Sequence, residues 1–148
     1  LGKESAGNTS FPDLGAAWQD LDFITIVNPP GKNITSLPNG QFSFIYEGGY
    51  HLSLSGSIEH NDLNSGRTLY IRVYNYTTGV GGAGILIGTG RNTESTSLSA
   101  SVMFEMSAAE RGQAFGLQIG NADAYSAVVF QSMAYSIFAV SNFKEPIP

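Results

Sequence analysis

The strongest constraint on this chain is a strict alternation of apolar and polar residues over long stretches. From Tyr50 to Glu59, even positions hold apolar residues or Gly56, and odd positions hold mainly serine. Residues 97–106 repeat the pattern, with apolar side chains at every even position from Leu98 to Met106. A period of two residues is typical of a β-strand with one buried face. Both stretches are therefore predicted to be half-buried strands.

Shorter segments extend this pattern along the chain. Further strands are predicted at residues 21–27, 41–47, 68–76, 115–119, 127–130 and 134–140, and a single helical turn at residues 107–112. Gly79 to Gly84 is predicted to be a flexible loop because four of its six residues are glycine. Seven or eight short strands separated by Gly, Asn and Ser indicate an all-β fold, an antiparallel sandwich or jelly roll.

Length and periodicity together predict the domain organisation. The 148 residues suit one domain. Residues 1–20 are small and polar without a period, and we expect an N-terminal arm or linker from an upstream segment. Trp18 is the exception, because a lone Trp usually plugs a core edge or a subunit contact, and less often stacks on a ligand. Residues 21–148 are predicted to form the folded domain.

Charge and composition exclude several classes of function. The chain has 7 basic and 12 acidic residues, a net charge of -5 and no basic cluster, which argues against a nucleic-acid partner. It has no apolar run of about 18 residues, so no membrane insertion is expected. It also has no cysteine, which removes disulfides and thiolate metal sites.

The predicted strands also have a second face that is expected to be buried. The face opposite Tyr50 is rich in serine, the strand at 115–119 carries small residues outward, and residues 134–140 are apolar on both faces. Small residues let another sheet approach closely, and an exposed apolar strand would form a patch larger than monomers usually tolerate. We therefore expect an oligomer.

The order of the motifs resembles the tumour necrosis factor and complement globular-head superfamily. The motifs are Gly40-Gln-Phe42, Gly49-Tyr50, residues 69–75 and 97–106, Gly112 before Phe115, and the terminal Tyr135 to Val140. The resemblance covers about two thirds of the chain, and Gln113 replaces the acidic residue usual after the Gly112 equivalent. It implies a jelly roll that closes as a homotrimer, with the Gly-Tyr strand central in the inner sheet and the terminal strand beside it at the threefold axis.

Two sets of candidate contact residues follow. Those proposed for the trimer interface are Tyr50, His51, Ser53, Ser55, Ala114, Gly116, Gln118, Tyr135 and Phe138. Those proposed for receptor binding are Tyr70, Arg72, Tyr74 and Tyr76 on one strand face, with Asn61, Asp62, Asn64, Gly79 and Gly81 in loops. A row of tyrosines with an arginine suits stacking on a sugar or anchoring a protein partner. The same row could instead pack beneath a neighbouring strand.

Similar knobs cap bacteriophage spikes and the filaments of bacterial spore coats. We expect the trimeric knob of a virion surface spike, bound to itself and to a host-cell surface protein or glycan, without catalysis. The alternative is a structural cap that trimerises a fibrous surface protein, a phage shaft or a spore-coat filament, and binds no ligand.

Catalytic and metal sites receive weak support from the sequence. His51 and His60 are the only histidines, and neither is paired in sequence with a recognisable nucleophile and orienting acid. Asp20 with Asp22, or Glu59 with Asp62, could form a carboxylate pair, but neither spacing fixes the separation that the chemistry requires, and surface solubility is the simpler explanation. Oxygen ligands at Glu59, Asp62 and Asn64 would suit calcium, although the EF-hand spacing is missing. We therefore expect no enzyme, cofactor or metal.

Overall fold

The fold was analysed in a computed structural model. The structure describes residues 2–5, 9–11, 18–21, 24–28, 33–60, 68–88, 96–121 and 128–140. Within these ranges the chain forms twelve strands and one 3-10 turn. The strands are β1 (Gly2–Ser5), β2 (Thr9–Phe11), β3 (Gln19–Asp20), β4 (Ile24–Asn28), β5 (Ile34–Ser36), β6 (Phe42–Phe44), β7 (Gly48–His60), β8 (Thr68–Asn75), β9 (Val80–Gly88), β10 (Thr96–Met106), β11 (Phe115–Asn121) and β12 (Val128–Ala139).

The strands form two sheets. Sheet A has the order β10-β7-β12-β1-β4, with β2 also paired to β12. Sheet B has the order β5-β6-β11-β8-β9, with β3 also paired to β11. Every pair is antiparallel, and from β6 onward the chain crosses repeatedly between the sheets. The prediction of an all-β, antiparallel jelly-roll sandwich is confirmed.

The core lies between the two sheets and is rich in aromatic rings. Phe44 is fully buried, and its ring centroid lies 4.4 Å from that of Tyr50, 5.3 Å from Phe115 and 5.8 Å from Phe104. These residues come from four strands of both sheets. Tilted and edge-to-face ring pairs of this kind add to the free energy gained by burying apolar area. The aromatic cluster therefore joins the two sheets.

The alternation in the sequence predicts the inward faces correctly. In β7 the residues Tyr50, Leu52, Leu54 and Ile58 are buried. In β8 burial alternates along the whole strand, with Leu69, Ile71 and Val73 inward. In the edge strand β10, Leu98 and Met106 are buried, while Ala100, Val102 and Phe104 are half-buried. The predicted helical turn is confirmed at Ala108–Glu110.

Apart from Trp18, the described parts of residues 1–20, the predicted arm or linker, are strands that pair with the two sheets. Strand β1 lies between β12 and β4, β2 pairs with β12, and β3 pairs with β11. A strand pair is held by backbone hydrogen bonds, so a segment can join a sheet without alternating side chains. Backbone N–H and C=O groups of the sheets that would otherwise be unpaired thus form hydrogen bonds with this segment.

The prediction of a loop at Gly79 to Gly84 is also wrong. Strand β9 begins at Val80 and pairs with β8, with a shift of register between Arg72 and Tyr74. The reversal is confined to a short turn, where Asn75 Oδ1 accepts hydrogen bonds from the backbone N–H groups of Thr77 at 3.0 Å and Thr78 at 3.2 Å. Gly79 closes the turn at a φ of 74°, a conformation that glycine adopts without strain.

Candidate functional site

The outward face of sheet B carries a cluster of planar side chains, which we call the platform. It consists of Trp18, Tyr70, Arg72, Tyr74 and Tyr76. Strand β8 and the turn after it supply four of these residues because their inward neighbours fill the core. The fifth, Trp18, precedes β3, which pairs with β11 on the same sheet. The structure therefore brings the four predicted residues of this row together and adds a tryptophan.

Arg72 lies at the centre of the platform. Its guanidinium carbon is 3.8 Å from the ring centroid of Trp18 and 5.0 Å from that of Tyr74. The guanidinium Nε and Nη2 donate hydrogen bonds of 3.1 and 2.9 Å to Gln118 Oε1. A cation this close to the face of an aromatic ring is held by the quadrupole of the ring. Arg72 is thus fixed between two rings and an amide.

A polar network continues from Gln118 to the edge of the sheet. Gln118 Nε2 donates a hydrogen bond of 2.8 Å to Asp20 Oδ1, and the hydroxyl of Tyr76 donates one of 2.5 Å to the same oxygen. Gln118 is only 7% exposed, so its amide requires partners on both of its polar atoms. The network connects β3, β8 and β11 across the platform.

Glycines lie beneath three of the planar groups. A Cβ atom added to Gly120 would lie 2.8 Å from Trp18, one added to Gly116 would lie 2.7 Å from Tyr76, and one added to Gly81 would lie 2.6 Å from Arg72. These distances are below any ordinary van der Waals contact. The planar groups therefore pack against bare backbone, and the ring pairs Trp18–Tyr70 and Tyr74–Tyr76 meet edge to face at 69° and 85°. Trp18 remains 39% exposed and Tyr70 36%.

The predicted trimer-interface residues separate into three groups. Ala114, Gly116 and Gln118 lie on or beside β11 in sheet B, and the last two support the platform. Tyr50 and Tyr135 are buried between the sheets, where burial raises the pKa of both phenols. These five residues therefore do not share an outward face with the other four. Alternation assigns residues to the two faces of a strand, but it does not say which sheet the strand joins.

The other four candidates lie on the outward face of sheet A. In the register of the sheet, Met103, His51 and Phe138 form one row across β10, β7 and β12. Met103 is 64% exposed and Phe138 49%, and the His51 ring centroid lies 4.8 Å from that of Phe138. The Nδ1 atom of His51 is buried and has no hydrogen-bond partner in the described part of the chain.

Serine dominates the remaining rows of that face. Ser53 and Ser55 each pair with a serine of β10, Ser101 and Ser99 respectively. On the other side they pair with Ser136 and Ala134 of β12. The face is thus flat and made of small side chains next to one apolar row. It is suited to close contact with another flat surface.

Several sequence candidates fall outside the part of the chain that the structure describes. These are Asn61, Asp62 and Asn64, and also Asp22 of the carboxylate pair. Among the described residues, no group of three or more His, Cys, Asp or Glu side chains could hold a metal ion. No helix in the same ranges is long and apolar enough to cross a membrane.

The sequence did not predict a cleft at one end of the sandwich. It has a volume of about 390 Å³, within the range of small-molecule sites. Its apolar lining includes Val73, Phe104, Met106 and Phe115, and Glu105 and Glu110 are the acidic residues among those that line it. The residues come from β8, β10 and β11 and from the 3-10 turn, so only the folded sandwich brings them together.

The topology is that of a jelly-roll sandwich of the tumour necrosis factor type. Sheet A contains the Gly-Tyr strand β7 beside the terminal strand β12, as the resemblance implied. No protein-family model and no curated protein matches the sequence. Comparison with solved structures does find similar folds.

Three of these structures cover nearly the whole chain. The Eiger TNF of S. frugiperda matches with a TM-score of 0.65 at 9% identity, over 100% of this chain and 97% of that one. Murine APRIL at pH 5.0 matches with a TM-score of 0.52 at 11% identity, over 90% and 96%. The PRD1 vertex protein P5 matches with a TM-score of 0.51 at 14% identity, over 91% and 93%. At these identities the likeness shows the fold.

Proposed function

We propose that this chain is the trimeric knob of a virion surface spike, which attaches the particle to its host by binding a receptor and catalyses no reaction. The observation that carries the proposal is the difference in composition between the two opposite outward faces of the sandwich. The outward face of sheet A is flat, rich in serine and partly apolar. The outward face of sheet B presents the platform of aromatic rings around Arg72.

The sheet A face supports self-association. Its row of Met103, His51 and Phe138 leaves two large apolar side chains exposed to water. Burying such side chains stabilises an assembly by roughly 25 cal/mol for each Å² removed from water. The buried and unpartnered Nδ1 of His51 would also gain access to a partner from another copy. Three copies that meet through this face hide the row at a shared axis.

The same geometry directs the platforms away from that axis. Sheet A and sheet B present their outward faces on opposite sides of the sandwich. If sheet A faces the other two copies, sheet B faces solvent in all three. Three identical sites on one trimer raise the effective affinity for a cell surface well above that of a single site.

The fold shared with the vertex protein P5 of phage PRD1 is compatible with a virion location. The fold is also shared with the Eiger and APRIL proteins, so it does not decide between locations by itself. The virion proposal therefore needs a test with particles and cells.

A structural cap that trimerises a fibrous surface protein is the second candidate. The exposed row on sheet A favours it, because trimerisation alone explains why Phe138 and Met103 remain outside the core. On this alternative the platform only holds the segment from Trp18 to Leu21 against sheet B. The two candidates differ in whether the platform contacts anything outside the chain.

Competition for host cells tests the proposal. The purified chain, in its trimeric form, should displace whole particles from host cells, and the Tyr70→Ser variant should do so at least tenfold less well. Val80→Ser serves as the matched control, since Val80 is an exposed apolar residue of β9 outside the platform. If saturating amounts of the unaltered chain leave attachment unchanged, the receptor-binding proposal is wrong. Restored attachment by a foreign trimeric cap would favour the structural alternative.

A further inference from the structure

We infer that the platform is a binding site for an uncharged sugar, with Trp18 as the surface on which a sugar ring stacks. This inference rests on the proposed function, because it names the chemical class of the receptor group that the knob binds. Three features of the platform support it: its exposed aromatic surface, the kind of polar groups it carries and its balance of charge.

Exposed aromatic surface is the first feature. Trp18 is 39% exposed and Tyr70 36%, and their ring centroids lie 6.3 Å apart with the rings at 69° to each other. The guanidinium of Arg72 lies over one face of the Trp18 ring, 3.8 Å from its centroid. A sugar ring has one face that is made largely of C–H groups, and such a face packs well on the exposed part of an aromatic ring.

The polar groups are the second feature. Asp20 and Arg72 are planar groups, each with two terminal polar atoms, and they can engage neighbouring hydroxyls of one sugar. Each is oriented through only part of its hydrogen-bonding capacity. Gln118 uses Nε and Nη2 of Arg72, and Asp20 accepts both of its bonds at Oδ1. Within the described residues, Nη1 of Arg72 and Oδ2 of Asp20 make no hydrogen bond and remain for a ligand.

Charge balance is the third feature and selects among sugars. The platform network holds one cation, Arg72, and one anion, Asp20, joined through the amide of Gln118. An anionic sugar attracted by Arg72 would be repelled by Asp20, and a cationic sugar attracted by Asp20 would be repelled by Arg72. An uncharged sugar avoids both penalties and can still donate to the carboxylate and accept from the guanidinium.

The size of the site also favours a sugar over a protein. A stable protein interface buries about 800 Å² on each partner and involves roughly 20–30 residues a side. The platform consists of five side chains, of which only Trp18 and Tyr70 are exposed by more than a third. One or two sugar rings would cover it.

The single tryptophan of the chain allows a direct experiment. Because the sequence contains one Trp, the emission of the trimer reports on the platform alone. We expect lactose, maltose or cellobiose to cause a saturable change in emission at millimolar concentration. Sialyllactose and a sulfated heparin disaccharide should bind at least fivefold more weakly than the best uncharged disaccharide. A printed glycan array, read with labelled trimer, widens the set of uncharged probes.

Variants locate the sugar on the platform. Asp20→Asn retains the reporter and should weaken the binding of the best disaccharide at least fivefold. Glu47→Gln is the matched control, because it neutralises an exposed carboxylate away from the platform, and it should change nothing. Trp18→Ala should abolish binding on the array. Thermal unfolding and sedimentation of each variant establish that the fold and the trimer are intact.

The outcomes separate this inference from the proposed function. If no uncharged glycan binds, but Tyr70→Ser still impairs attachment and protease treatment of the cells abolishes it, the receptor is a protein and the sugar inference is wrong. If sugar binding is unaffected by both Asp20→Asn and Trp18→Ala, the sugar lies elsewhere and the inference again fails. Absence of any attachment by the unaltered trimer overturns the proposed function itself.

Discussion

At the scale of the residue, glycines in the two sheets differ in what a side chain would meet. Gly116 and Gly120 of β11 lie under the ends of aromatic side chains on the protein surface. Gly56 of β7 instead faces the backbone of β12, where a Cβ atom would overlap the carbonyl oxygen of Ser132. A surface ring can move aside, whereas a paired strand cannot move without breaking its hydrogen bonds.

The same substitution should therefore have unequal effects at Gly56 and Gly116. We expect Gly56→Ala to lower the free energy of unfolding by about 2–3 kcal/mol, the upper part of the usual range for overpacking. Gly116→Ala should cost less than about 1 kcal/mol, because Tyr76 can shift and the unfolded chain loses conformational freedom. Urea unfolding followed by circular dichroism measures both. Equal losses in the two variants would contradict this account.

Tyr135 makes stability depend on pH in the alkaline range. Burial raises the pKa of its phenol above the ordinary 10.0 of the unfolded chain. Above about pH 10 the unfolded chain releases this proton and the folded chain retains it, so stability falls as pH rises. The slope from one such group approaches about 1.4 kcal/mol per pH unit.

Thermal unfolding between pH 8 and 11.5 tests the role of Tyr135. The variant Tyr135→Phe should show a shallower loss of stability above pH 10 than the unaltered chain. Below pH 9 the stability of the two proteins should differ little, because the Tyr135 hydroxyl makes only a 3.5 Å contact with the carbonyl oxygen of Gly40. Identical slopes in both proteins would show that other groups cause the alkaline loss.

At the scale of the element, side-chain bonds supplement a very short strand pair. Strand β3 has two residues, and two residue pairs join it to β11. The backbone N–H of Leu21 also donates to the carbonyl of Leu117 at 2.9 Å. Gln118 adds the side-chain connection from β11 to Asp20 and, through Arg72, to the ring of Trp18.

Removal of the Gln118 amide should loosen β3 from the sheet. We expect Gln118→Ala to destabilise the fold by about 1–3 kcal/mol, because Arg72 and Asp20 lose a shared partner. The emission of Trp18 should shift to longer wavelength as its ring becomes more exposed to water. Thr35→Ala, at an exposed position of β5, serves as the control. An unchanged Trp18 spectrum would mean that backbone pairing alone holds the segment.

At the scale of the whole molecule, the proposed trimer requires that the outward face of sheet A be buried between copies. Phe138 and Met103 must leave water when copies associate, while the core between the sheets stays unchanged. Substitutions on this face should therefore alter assembly without altering the fold. The outward face of sheet B provides the comparison, since Leu86 is also exposed and apolar there.

Phe138→Ser should weaken the trimer and raise the protein concentration needed for assembly at least tenfold. This corresponds to about 2.7 kcal/mol per trimer, because that concentration varies as the square root of the trimer dissociation constant. Leu86→Ser should leave assembly as it is. Sedimentation equilibrium over a range of concentrations measures both variants, and circular dichroism confirms their fold. A monomeric mass for the unaltered chain at every concentration would refute the trimer, and a trimeric Phe138→Ser with unchanged affinity would move its interface elsewhere.

Local pattern was sufficient to predict strands β7, β8 and β10 and their inward residues. Alternation in these strands reports burial directly, because successive side chains of a strand point to opposite faces. The row Tyr70, Arg72, Tyr74 and Tyr76 was predictable for the same reason. Strands β1, β2, β3, β5 and β9 were missed because backbone pairing, and no side-chain period, places them in the sheets.

The sequence by itself determined the all-β class, the inward faces of the long strands and the tyrosine row. Only the tertiary structure decided that Trp18, Asp20 and Gln118 join that row, and that Tyr50 and Tyr135 lie in the core. The reason is physical: the periodicity of a strand is visible between neighbouring residues, whereas membership of a sheet depends on hydrogen bonds between segments as far apart in sequence as Gly2 and Ser136.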